Sequence, residues 1–101
     1  MGCSRCEKLK NQFDDWRLDY DLSYCEMDPT GCDNVESIVD TKNYPVVILE
    51  SNGEMLEIVY ITNSSETLSQ GRKQISGILT VPNHSLDGIA IYIKNRLNLK
   101  L

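Results

Sequence analysis

Residues 43–61 read Asn43-Tyr44-Pro45-Val46-Val47-Ile48-Leu49-Glu50-Ser51-Asn52-Gly53-Glu54-Met55-Leu56-Glu57-Ile58-Val59-Tyr60-Ile61. Val46 to Leu49 is a mostly β-branched run of the kind that fills a buried strand. Asn52-Gly53 supplies the positive φ values of a tight hairpin turn, and Met55 to Ile61 reads as the return strand. The chain therefore contains a β-hairpin, and its flanks decide what is built around it.

Upstream, Leu9, Phe13 and Trp16 recur at helical spacing, with Glu7, Lys8, Lys10, Asn11, Asp14 and Asp15 on the other side. This predicts a helix over 4–17, with Ser4 or Cys3 near its N-cap and Phe13 and Trp16 in the core. Leu22 to Met27 reads as a short strand, and Asp28-Pro29-Thr30-Gly31 as a turn. Asp33 is then the expected N-cap of a second helix facing inward through Val35, Ile38 and Val39.

Downstream, Asn63-Ser64-Ser65-Glu66 opens a loop and a helix start. Leu68, Ile75, Ile78 and Leu79 have loose helical spacing, weakened by Gly71 and Gly77. Thr80-Val81-Pro82-Asn83-His84 breaks that segment. Ser85 caps a last helix that buries Leu86, Ile89, Ala90, Ile93 and Leu97. The order of elements argues for a small α/β domain with a mixed sheet, one domain over 1–101.

Composition narrows the function classes. Apolar residues are 41% of the 101, enough for a core without metals or cross-links. The net charge of −5 argues against a nucleic-acid partner, which needs a basic surface. No apolar run reaches the roughly 20 residues of a membrane span, so no membrane partner is expected. No secretory leader is visible, so a cytoplasmic setting is expected and the Asn63-Ser64-Ser65 sequon carries no meaning. In that setting paired cysteines point to redox chemistry or metal binding more than to structural cross-links.

Cys3-Ser4-Arg5-Cys6 opens the first helix. There the first thiol meets unpaired backbone N–H groups and the positive end of the helix dipole, which stabilise a thiolate. Arg5 adds a positive charge. Cys6, one turn on, is placed to resolve a mixed disulfide. The pair also admits a structural role, or a zinc site with Cys25 and Cys32. The C-x6-C spacing of that second pair is wider than usual for zinc. Read alone, Cys25 is a small buried apolar residue and Cys32 an inert surface thiol. His84, the only histidine, reads as a loop residue before a helix cap.

A CxxC at a helix start, then a strand, a helix and a proline just before a hairpin, resembles the thioredoxin fold, and by its short spacing the glutaredoxin-like group within it. The resemblance spans residues 2–61, with the last helix as a looser match. It implies a thiol–disulfide oxidoreductase with Cys3 and Cys6 as the redox pair, and a cis Tyr44–Pro45 bond beside them. The Tyr44 backbone and Pro45 then bind the substrate, a protein or glutathione disulfide; Arg5, by its charge beside the first thiol, is a further candidate for substrate binding or else a solvated helix residue. No bound cofactor is implied; glutathione is a candidate reductant. Three departures accompany it. The strand expected before the CxxC is missing or replaced, by a segment such as 75–81 or by a second subunit in a homo-oligomer. Asn43-Tyr44-Pro45 stands for the usual Thr-Val-Pro. Residues 62–84 form an insertion where the family holds glutathione. A non-catalytic binding or structural module on the same fold is the alternative.

Overall fold

The hairpin forms where Asn52-Gly53 requires it, with φ of 56° and 80° at the two turn residues. It joins β1 (Asn43–Ser51) to β2 (Glu54–Ile61) in antiparallel pairing. In the computed structural model, which describes residues 4–39, 41 and 43–99, two helices precede it. They are α1 (Ser4–Asp15) and α2 (Pro29–Ile38); α3 (Ser65–Gln70), β3 (Lys73–Ile75), β4 (Ile78–Asn83) and α4 (Leu86–Arg96) follow. The result is a small α/β domain with a four-stranded mixed sheet of order β1-β2-β4-β3.

The buried centre of the sheet is β2, not β1. Ile58, Val59, Tyr60 and Ile61 are all buried, whereas Val46, Val47 and Leu49 on β1 are only half-buried. The reason is pairing. β2 has β1 on one side and β4, in parallel, on the other, so apolar side chains are demanded on both faces. Successive residues of β2 serve different layers. Val59 and Ile61 pack with Leu9, Phe13, Val81, Ile89 and Ile93 under α1 and α4. Ile58 and Tyr60 pack with Val35 and Val39 under α2. Thr41 Oγ1 donates to the Ile61 carbonyl at 2.6 Å, tying the chain entering β1 to the end of β2.

Several sequence expectations are corrected here. Residues 22–27 form no strand. Leu22, Tyr24 and Met27 are exposed, and the chain turns back as the Met27 and Asp28 amides donate to the Tyr24 carbonyl. Asp28-Pro29 is the start of α2, not a turn before it. The Asp28 side chain accepts from the Gly31 amide at 3.1 Å and Pro29 takes the first helical position, where its missing N–H costs nothing. Asp33 lies inside the helix and is not its cap. The Phe13 ring is buried, with Trp16 packed beside it at a centroid distance of 6.1 Å.

The region 71–83 is strand, not helix. α3 stops at Gly71, whose φ is 74°, and a second hairpin turns at Ser76 and Gly77 with φ of 49° and 82°. Thr80-Val81-Pro82 thus lies within β4. Pro82 is tolerated because β3 reaches only to Thr80, so β4 has no ladder on that side at Pro82. Ser85 caps α4 as expected, but Leu97 sits at its C-cap and is 41% exposed, outside the buried face.

Candidate functional site

Cys6 lies in the first turn of α1, half-buried and disulfide-bonded. Cys3 lies outside the described residues. Below Cys6, Leu9 and Phe13 continue the inner face of α1 into the core. The next segment, residues 18–24, has no regular structure and is held to α1 by a small polar cluster. Tyr20 Oη donates to Asp14 Oδ1 at 2.7 Å, Lys10 Nζ donates to Asp14 Oδ2 at 3.1 Å, and the Tyr20 ring meets Phe13 edge-on at 5.5 Å. The bond from Tyr20 and then that from Lys10 hold the Asp14 carboxyl below its ordinary range.

Cys25 and Cys32 are joined in a disulfide with Cα atoms 5.6 Å apart. It fastens this irregular segment to the first turn of α2. The reading of Cys25 as a plain buried residue and of Cys32 as a free surface thiol is therefore overturned. The four-thiolate zinc alternative loses two ligands to this bond, and no group of three or more His, Cys, Asp or Glu is arranged around a metal position among the described residues. One signal was present in the sequence. The two cysteines straddle Asp28-Pro29, and a helix starting there turns the chain enough to bring residues 25 and 32 together.

The Tyr44–Pro45 peptide bond is cis, as expected. Tyr44 is anchored by its side chain. Its hydroxyl donates to Glu36 Oε2 at 2.7 Å, and partial burial together with that bond pushes the phenol up to about 12. Tyr44 therefore ties the entry of β1 to the last turn of α2.

These features meet in one groove of about 710 Å³. Cys6 lines it from α1, the Cys25–Cys32 bond from the loop and α2, and Tyr44, Pro45 and Val47 from β1. β1 stands at the end of the strand order, so no strand pairs with its outer edge among the described residues. The segment suggested from sequence to replace a missing strand, 75–81, forms β3 and β4 on the far side of β2 instead. Arg5 is exposed on α1 and is not part of the groove wall. His84 is exposed between β4 and α4, away from the groove.

Three of the sequence-derived candidates, Cys6, Tyr44 and Pro45, are thus brought together, and the Cys25–Cys32 bond joins them unforeseen. The arrangement offers a sulfur at a helix start, a second cystine and a strand, β1, whose outer edge meets no other strand among the described residues, all bordering one partly apolar space. No helix among the described residues is long and apolar enough to cross a membrane. Scans against family models and searches of curated proteins and solved structures gave no match.

Proposed function

We propose that the protein is a thiol–disulfide oxidoreductase on a thioredoxin-like, glutaredoxin-type scaffold, with Cys3 and Cys6 as its redox pair. One observation carries the reading: Cys6, disulfide-bonded in the first turn of α1, shares a groove with Tyr44 and Pro45 although Cys6 and Tyr44 are 38 positions apart in the chain. A helix start lowers the pKa of a thiol there, which makes it the better nucleophile near neutral pH.

In the proposed cycle the Cys3 thiolate attacks one sulfur of a substrate disulfide. A mixed disulfide forms and the other substrate sulfur leaves as a thiolate. Cys6 then attacks Cys3, the Cys3–Cys6 bond forms and the second substrate thiolate departs. The substrate gains two electrons and the pair loses two. Glutathione or a reductase returns the dithiol, and protein or glutathione disulfides are the substrate class. The Tyr44 backbone, next to Pro45 and held through Glu36, orients the substrate. Arg5 acts through its charge near the helix start, not as part of the groove wall. The reading implies a cytoplasmic setting, where such pairs cycle against the glutathione pool.

The test is reduction of insulin or of a mixed disulfide by the parent protein and by Cys3→Ser, with an ultraviolet titration of the thiolate. Turnover that disappears in the variant, with a thiol titrating well below the free value of about 8.5, supports the reading. A thiol near that value without turnover favours a binding module on the same scaffold. The open edge of β1 speaks for that second reading, since an edge strand accepts an extended segment through backbone hydrogen bonds.

A further inference from the structure

On the opposite side of the sheet from the groove's open edge, the loop after α3, the end of β4 and the outer face of α4 border an open cavity of about 400 Å³. That is large enough for a small organic ligand. Its wall carries two cations, Arg72 and Arg96, and no acidic side chain. In a chain of net charge −5 this is a local reversal of sign.

The two guanidiniums are held differently. Arg96 is fixed by its Nε, which donates to Glu57 Oε2 at 2.7 Å. Glu57 is a buried residue of β2, and its other oxygen accepts from the Tyr92 hydroxyl. This arrangement uses one of the five N–H donors of Arg96. Arg72 lies over the face of the Tyr92 ring, its Cζ 4.9 Å from the centroid. It makes no hydrogen bond or ion pair among the described residues. Glu57 offsets one positive charge, so the pair presents about one uncompensated charge and most of two planar donor forks. Between them Tyr92 keeps both side chains in place. Beside them, Pro82 and the 60% exposed Ile91 supply an apolar surface.

We propose that this cavity binds a small organic carboxylate, its oxygens between the Arg72 and Arg96 guanidiniums and its apolar body against Pro82 and Ile91. A single negative charge matches the single uncompensated positive one, and a carboxylate's two oxygens match the planar fork. Arg72 alone would be a side chain covering an aromatic ring. It is the second, pre-oriented arginine and the adjoining apolar wall that make a site.

The test is a titration of the full-length protein followed by backbone amide NMR at constant ionic strength. The probes are benzoate, its neutral counterpart benzyl alcohol, and inorganic phosphate. The expected result is saturable shifts from benzoate at residues 72, 83, 91 and 92, with weaker or no response to the other two probes. Arg72→Gln, at an exposed position, should weaken benzoate about tenfold while leaving the spectrum outside the cavity unchanged. Ile91→Asp, also exposed, should abolish binding by supplying the arginines with an internal carboxylate. Benzyl alcohol binding as well as benzoate would overturn the proposal, as would phosphate in preference to benzoate, no saturable benzoate shifts, or either variant binding like the parent.

Discussion

The Tyr44 hydroxyl donates to Glu36 Oε2, so a residue that lines the groove at the entry of β1 is tethered to α2 by its side chain. Burial first, and then donation to the carboxylate, make this phenol resist ionisation. Its pKa, about 12, lies above the ordinary value of 10.0. The raised value means that the fold, which favours the neutral phenol, keeps this contribution fully below pH 10 and loses it as pH rises toward 12. Tyr44→Phe is expected to cost about 1–2 kcal/mol at neutral pH. In a tyrosinate absorbance titration it should also remove a step near pH 12. A variant that keeps that step would show that the assignment to Tyr44 is wrong.

The Cys25–Cys32 bond closes a short loop. By the chain-entropy account, opening it in a Cys25→Ser/Cys32→Ser double variant should cost about 2–3 kcal/mol. The urea midpoint should fall accordingly. The proposed disulfide reduction through Cys3 and Cys6 should persist under conditions where the variant is folded. Loss of turnover in a folded variant would instead mean that the second cystine takes part in the chemistry.

Gly31 faces the carboxylate that caps α2. A Cβ built there would sit 2.2 Å from Asp28 Oδ2. Gly31→Ala is therefore expected to push Asp28 out of its capping position and destabilise the protein by about 1 kcal/mol, even though alanine favours helices. A thermal melt that rises on this substitution would contradict the cap geometry.

Glu57 is 5% exposed and anchors both Tyr92 and Arg96. Glu57→Gln keeps the shape but removes the charge, and should cost about 1–3 kcal/mol. The Tyr92 phenol should move as well. It is held above its ordinary value first by burial and then by the bond to Glu57, so the variant should bring it down part of the way. Unchanged stability and an unmoved tyrosine titration together would rule the carboxylate out as the organiser of this corner.

Local chemistry made the hairpin, α1 and α4 readable in advance, because Asn52-Gly53, the Leu9/Phe13 stripe and Ser85 each act within a few residues of where they sit. The errors came where the deciding partner was remote. Leu22 and Tyr24 have the look of strand residues, but no neighbouring strand covers them and they stay exposed. Gly71 and Gly77 weaken a helix and also end one and turn a hairpin; only the parallel pairing of β4 with β2 selects the second use. Asp28-Pro29 serves equally as a turn or as a cap followed by a first helical residue, and the bond from the Gly31 amide decides it. Of the site, the cis Tyr44–Pro45 bond was legible through a family resemblance, and Cys6, Tyr44 and Pro45 line one groove. The Cys25–Cys32 link is signalled only once a helix start at Asp28-Pro29 is recognised, since cysteine spacing alone does not specify connectivity.

The unpaired side of β1 has a further consequence for the protein in bulk. Val46-Val47-Ile48-Leu49 is uncharged, β-prone and bordered on that side by no other strand among the described residues. Such a run is a template on which one molecule's sheet can be prolonged by the next. The counterweight is electrostatic: like-charged acidic molecules repel, but salt confines that repulsion to about 8 Å at physiological ionic strength. Filament growth should therefore be slow in dilute buffer and accelerate as salt or acid removes the repulsion between neighbours.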